Sequence, residues 1–588
     1  MLAIISLSFL SSFFPATGEA EVQQMFKDYI RQDVDLQPFW GTRLGDHRHA
    51  SRLESLDPKA VAVRRQFHKE TLVKLEELGK SSAGWSLAAR VDLETWINHE
   101  KRWLWNFDFL QHLHTDPRVY NEYISDSTFL LVTQTTLSSE VIGHACLMRT
   151  KEIPRIVREA KNNLLAPGKP RPAKVVVETA IKQNLGSIAW YRNGLASQIG
   201  NHCPKEELAA ACRDAVTALQ EYQKFLQAEL LPQATGEWRL GRERFATKLG
   251  LDLESPMTAE DVSKAAKAEF ARVLAEMAEI SVKLWPSLHD TEPANPAFSA
   301  LSRVEMIRKV IEKVSKDKVA VDGLVAEALK ASKELKDFIQ QKKILDLPMP
   351  DRCDILVMPE FQRGNSVAYL NNAPPLDKDA RSVYAISPPP ADWDSRRVDT
   401  FLQEYNRRMM KILTLHEAYP GHYVQLEYGN RNPSLVRKVL SSGVYIEGWA
   451  VHMEQVLLDE GFGGGDPALK LLQLKWYLRA VGNALLDQGM HCDGWSDDRA
   501  LRFLVDECFQ SEAEAVGKII RSKQSSCQLS TYFVGRMAMH QLRESTQKRL
   551  GNRFDLRRYH HAVLDLGAVP VRRLPELIME SLPDKPRS

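Results

Sequence analysis

TLHEAYPGHYVQLEYGNRNPSLVRKVLSSGVYIEGWAVHME, residues 414–454, gathers more chemistry than any other stretch of the chain. His416 and Glu417 are adjacent, His422 follows His416 by six positions, and Glu447 heads the run Glu447-Gly-Trp-Ala-Val-His-Met-Glu454. Histidine and glutamate on one helix, with a carboxylate from a following helix, is the donor set of a zinc site that carries its own general base. A lone histidine on an apolar helix face is ordinarily a core residue. Here the neighbouring carboxylates reverse that reading, because such a cluster without a metal would bear a large desolvation penalty. Glu417 is then the base that takes the water proton and passes it to the leaving amine. The spacing is irregular. A second ligand one turn on would fall at Pro420, and six residues on lies about 120° off the face of an unbroken helix. Pro420 lacks a backbone donor and Gly421 is permissive, so a break there is expected to return His422 to the metal. Glu454, seven residues after Glu447, shares its helical face and is a candidate to orient a ligand histidine, with a surface carboxylate as the alternative. His452 points elsewhere.

Upstream, Phe401, Tyr405, Met409 and Ile412 lead to His416 in steps of three or four, so one helix from about Arg396 is expected to bury this stripe. Cys353–Met358, Ser366–Leu370 and Ser382–Ser387 are short, rich in strand-forming residues and bounded by turn residues, as strands of a small sheet would be, closed by Pro388–Pro390. An edge strand of this sheet is expected beside the metal helix, placed to pair with substrate main chain. Glycines 461 and 463–465 read as a loop between helices, with no phosphate-binding sequence after them.

From Glu21 to about Ile344 the pattern is helical. Ser86–His114, Glu206–Leu231 and Thr258–Leu284 each combine helix formers with periodic apolar residues, and Thr258-Ala-Glu-Asp261 opens the last as a capping box. Ser302–Lys343 has few breakers and many Lys/Glu pairs at helical spacing, consistent with a solvated outer helix. Proline and glycine at 165–173 and 286–297 mark loops. The 588 residues therefore divide into Met1–Ala20, a helical region 21–345 walling a cleft, and a metal-binding region 346–588.

Composition narrows the functional classes. Lys plus Arg (78) nearly balances Asp plus Glu (76), so nothing points to a nucleic acid partner. Seven scattered cysteines without a CxxC pair indicate neither a disulfide framework nor a Cys-based zinc site. Met1–Ala20 is apolar, ends in small residues and is too short to span a bilayer, as a secretory leader would be, although it holds no basic residue. Export to a periplasm or the medium is expected, with a cytoplasmic protein as the alternative. No later segment offers an integral membrane span.

The motifs HEAYPGH, EGWA, Asp487-Gln-Gly-Met-His491, Arg521…Gln528…Tyr532-Phe-Val-Gly535 and FDLRRYHHAVLDLGAVP (554–570), with GEWRLGRERF (236–245), resemble a bacterial group of metallopeptidase-like proteins, the domain of unknown function 885. The resemblance spans most of the chain after residue 20. It implies a mainly α-helical, zincin-like fold of the gluzincin type with a deep cleft, and a zinc hydrolase acting on peptides. By motif position it makes His416, His422 and Glu447 the ligands of one Zn2+ and Glu417 the base. It makes Tyr532, with His560 or Arg536, candidates to steady a tetrahedral oxyanion. The sequence departs from the group where Ser522 stands for a common Tyr, Ser526-Cys527 for a common Pro-Gly, and Tyr423 for a frequent second His. The expected activity is hydrolysis of short or unfolded peptides. A zinc amidase on a non-peptide amide and an exported binding protein with a dead site are the alternatives.

Overall fold

The computed structural model describes residues 18–288, 300–358, 368–390 and 393–583. It is mainly helical, with one three-stranded sheet among the described residues. Residues 1–17 of the apolar leader-like stretch lie outside the described residues. Glu19 and Ala20 already belong to the first helix, Glu19–Leu36.

Local signals account for most helix boundaries. Ser86 accepts from the Ala89 amide and starts Leu87–Trp105. The capping box at Thr258 is closed in both directions: the Asp261 carboxylate accepts from the Thr258 amide (3.0 Å) and the Thr258 hydroxyl accepts from the Asp261 amide (3.1 Å). The helix it opens runs from Ala259 to Leu288, carrying Pro286 within it, so the loop expected at 286–297 starts later and its remainder lies outside the described residues.

Two expected helices are broken. The chain from Ser302 to Lys343 forms Ala300–Val314 and Leu324–Lys342, separated by a turn that ends at Gly323. Neither is a free outer helix, since Met306, Ile307, Val310 and Ile311 in the first and Ala328, Leu335 and Ile339 in the second are buried. The surface Lys/Glu pairs cover only the solvent side, and the apolar stripe beneath them sets the packing. Likewise the approach to the motif is not continuous. Ser395–Glu404 stops at Tyr405, and Asn406 caps a new helix, Arg407–Glu417, by accepting from the Arg408 (3.1 Å) and Met409 (3.2 Å) amides. Asparagine favours this cap over a helix interior because its side chain competes for backbone donors.

The strands are β1 (Cys353–Val357), β2 (Ala368–Asn371) and β3 (Ser382–Ile386). Residues 366 and 367 of the expected second strand lie outside the described residues. The order is β1-β3-β2, with β1 parallel to β3 from Cys353↔Ser382 to Val357↔Ile386, and β2 antiparallel to β3 from Ala368↔Ile386 to Asn371↔Val383. Strand β2 is thus an edge.

Among the described residues three apolar cores hold the molecule together. One lies within Phe39–Leu230. The largest combines residues 245–345 with the sheet, the motif helices and the chain to Leu582. The third joins the Glu19–Leu36 helix to Leu435–Val439, between the two halves of the motif. There the Leu435 amide donates to Gln23 (2.8 Å), and Arg437 pairs with Asp92 at 2.5 Å, both buried. No helix among the described residues is long and apolar enough to cross a membrane.

Candidate metal centre

The Arg407–Glu417 helix delivers His416 and Glu417 and then stops. Ala418, Tyr419 and Pro420 leave the helical path, and a second helix, His422–Arg431, begins at His422. The break expected at Pro420-Gly421 is present. Gly421 donates its amide to Leu415 at 3.0 Å, and a Cβ on it would lie 1.9 Å from the His416 carbonyl oxygen. Only glycine allows the chain to double back so tightly. Replacing Gly421 with Ala is therefore expected to displace His422, lowering metal affinity, read by titration, with loss of folding stability of about 3 kcal/mol or more.

A third helix, Gly443–Asp459, supplies Glu447. Trp449 on it donates its indole N–H to the Pro420 carbonyl at 2.8 Å, which ties the EGWA motif to the HEAYPGH turn. One ligand-type atom from each of His416, His422 and Glu447 lies within 4.8 Å of the others. Glu447 Oε2 stands 3.4 Å from His422 Nε2 and 3.8 Å from His416 Nε2, and the two imidazole rings meet edge to face at 4.6 Å. The buried Glu447 Oε2 makes no hydrogen bond of sound geometry. Two imidazoles and a carboxylate converging around an unsatisfied buried oxygen fit a divalent cation of the zinc class.

The surroundings set the charge states. Burial, then the nearby His422, push the His416 imidazole down to about 4, the neutral form a ligand needs. Its Nδ1 lies 2.8 Å from Glu454 Oε1, and Glu454 is fully buried. The surface alternative for Glu454 thus gives way to a buried contact with His416. Burial drives the Glu454 carboxyl well up. It raises Glu417 too, against the pull of His422, His416 and the Leu370 backbone amide. Glu447 is held below the usual carboxylate range by His422 and His416 despite burial, and the Tyr532 hydroxyl faces it.

Leu370 lies on β2, so the sheet edge does adjoin Glu417. Tyr532 sits in the helix Gln528–Leu550, whose Gly535 meets Gly448 backbone to backbone. Arg536 and His560, expected near the reacting centre, are engaged elsewhere. Arg536 pairs with Gln455 and, at 3.5 Å, with Glu269, over the Tyr477 ring. Arg536 stands four residues, about one turn, beyond Tyr532 on the same helix. His560 is fully buried, its Nδ1 2.9 Å from the Ile344 carbonyl, its ring on Trp449.

Burial pushes His560 down from 6.5 to about 4. The unfolded chain therefore binds the proton first, and the stability due to the neutral folded form is complete above pH 6.5 and lost as pH falls towards 4. The range corresponds to about 3 kcal/mol. Urea unfolding of wild type and His560→Asn across this window is expected to show a shallower pH slope in the variant.

Trp476 and Arg479 carry no motif signal of their own. Trp476 places its ring edge-on to His416 at 6.4 Å, and Arg479 beside it pairs with the half-buried Glu514 at 3.0 Å. The Asp487…His491 motif holds the segment before Tyr532. Asp487 accepts from the Cys527 amide (3.1 Å) and the Ser530 hydroxyl (2.8 Å), and His491 Nε2 contacts the Ser522 carbonyl at 2.8 Å. Cys527 has φ +67°, the left-handed region, at the position where the family resemblance leads one to expect glycine.

The chain matches the bacterial proteins of unknown function DUF885 over residues 38–578, and it belongs to that family. Among solved structures it is similar to a protein of Shewanella oneidensis provisionally described as a lipoprotein of unknown function. They share 28% identity and a TM-score of 0.78, over 96% of this chain and 100% of that one. A protein of Colwellia psychrerythraea, provisionally described as a lipoprotein, shares the fold at 18% identity and TM-score 0.78, over 97% of this chain and 100% of that one. No curated protein matches.

Proposed function

We propose that the protein is a zinc-dependent hydrolase of peptide bonds, with one Zn2+ per chain in a zincin-like site of the gluzincin type. The observation that supports this most directly is the convergence of His416, His422 and Glu447 within 4.8 Å, beside a carboxylate, Glu417, outside that triad. When bound, the ion supplies Lewis-acid chemistry, easing deprotonation of water and polarising a carbonyl.

The chain's own groups do the rest. Glu417, with its raised pKa and its carboxylate oriented by the Leu370 amide, takes a proton from the attacking water and gives it to the leaving amine. The Tyr532 hydroxyl is placed to donate to the oxygen that gains charge. Edge strand β2 offers main-chain groups to an extended substrate. Helical regions on either side form a cleft suited to short or unfolded peptides. Descriptions of both solved relatives as lipoproteins, together with the apolar Met1–Ala20, support an exported protein.

Glu454 holds His416 through Nδ1, so Glu454→Gln is expected to weaken zinc binding about 10- to 100-fold, measured by competition with a chromogenic chelator. The reading as a whole is tested by zinc content and by mass spectrometry of a mixed peptide library incubated with the zinc-loaded protein. One zinc per chain with cleaved peptides is expected. No zinc after reconstitution, or zinc without cleavage of any peptide, would overturn it.

A further inference from the structure

Arg521 lies near the end of the helix Glu512–Gln524, at the rim of the site. Its guanidinium donates to the Gln528 side-chain oxygen at 2.7 Å and to the Tyr532 hydroxyl at 3.2 Å, and that hydroxyl faces Glu447. Both partners are neutral. Among the described residues no carboxylate pairs with Arg521. Nearby cations differ: Lys523 binds Asp497 at 2.6 Å and Arg479 binds Glu514. A permanent planar cation, exposed to solvent, is thus held one phenol away from the ligand triad with N–H donors to spare. The planar fork of donors matches a carboxylate, which it can hold through two parallel hydrogen bonds.

Resting on the peptidase reading above, we propose that Arg521 binds the free C-terminal carboxylate of the substrate, so that the enzyme removes one or two residues from peptide C-termini. The Arg521 guanidinium stands 3.2 Å from the Tyr532 hydroxyl, and that hydroxyl faces Glu447, so the span from guanidinium to triad is on the order of 6 Å, two hydrogen-bond lengths. An extended chain advances about 3.3–3.6 Å per residue, so a carboxylate on Arg521 leaves the scissile bond one or two residues back, at the triad. Water adds across that bond, its hydroxyl to the acyl carbon and its proton, through Glu417, to the departing amine.

The test compares one peptide as the free acid and as the C-terminal amide, on zinc-loaded wild type, Arg521→Met and Arg521→Lys. Calorimetric binding of both peptides to zinc-loaded Glu417→Gln gives a readout apart from turnover. Wild type is expected to prefer the free acid about 10- to 100-fold in kcat/KM, through KM, with matching affinities in Glu417→Gln. In Arg521→Met the acid-to-amide ratio should collapse toward one, and Arg521→Lys should retain part of it. Equal use of acid and amide by wild type overturns the assignment and leaves the peptidase reading standing. A parallel loss on both forms in Arg521→Met, with the ratio preserved, also overturns it and makes Arg521 a support for Tyr532. Cleavage of neither form by wild type removes both readings.

Discussion

Replacing Glu417 with Gln is expected to lower peptide cleavage about a thousandfold while zinc content stays at one per chain. The two effects separate because Glu417 is adjacent to a proposed ligand, His416, and lies outside the converging set. The three converging atoms belong to His416, His422 and Glu447. Glutamine keeps the shape and can still accept from the Leu370 amide, but it cannot hold the water proton. Burial raises Glu417, and a raised carboxyl holds a transferred proton more readily than an ordinary one. Metal content by mass spectrometry and single-turnover cleavage of a defined peptide check the result together. A parallel fall in zinc would make Glu417 a ligand, and unchanged cleavage would remove it as the base.

Gly535→Ala is expected to cost about 3 kcal/mol of stability and to depress turnover of whatever protein still folds. A methyl group there would stand 2.0 Å from the Val444 carbonyl oxygen and 2.7 Å from the Gly448 Cα, with rigid backbone on both sides. The helices bearing Glu447 and Tyr532 cross at this point, so the strain is relieved only by spreading them. A displacement of about 1 Å between positioned groups is enough to lose roughly 100-fold in rate. Gly517, an exposed position on the helix Glu512–Gln524 with nothing within 4 Å, is the matched control, where alanine should be neutral or stabilising. Urea midpoints together with kcat distinguish a crossing effect from a general one, and a Gly535→Ala protein as stable and active as wild type would refute it.

Legibility in the sequence followed the range of the interactions. The break at Pro420-Gly421, the strands near 353 and 382 and the capping box at Thr258 rest on neighbours a few residues apart, and all were readable. The stop at Tyr405 was not, although Asn406 carried a cap signal that the apolar stripe masked. The division of 302–343 was hidden because Lys/Glu pairing describes the wet side of a helix and says little about where it ends. Pairings across the chain left no local trace: Gly448 with Gly535, Glu417 with the Leu370 amide, Trp449 with the Pro420 carbonyl. Arg536 and His560 were attached to the site through motif position alone, and their actual partners, Gln455 and the Ile344 carbonyl, lie far away in sequence.

The link between the His422 helix and the Glu447 helix is fastened to the beginning of the chain, through Gln23 to Leu435 and Asp92 to Arg437, contacts that close loops of 412 and 345 residues. Contacts of such sequence separation raise the contact order, and topologies rich in them fold slowly. A nascent chain, even with both histidines already synthesised, has no fixed distance between them and Glu447. The geometry of the triad therefore depends on contacts that reach across most of the chain.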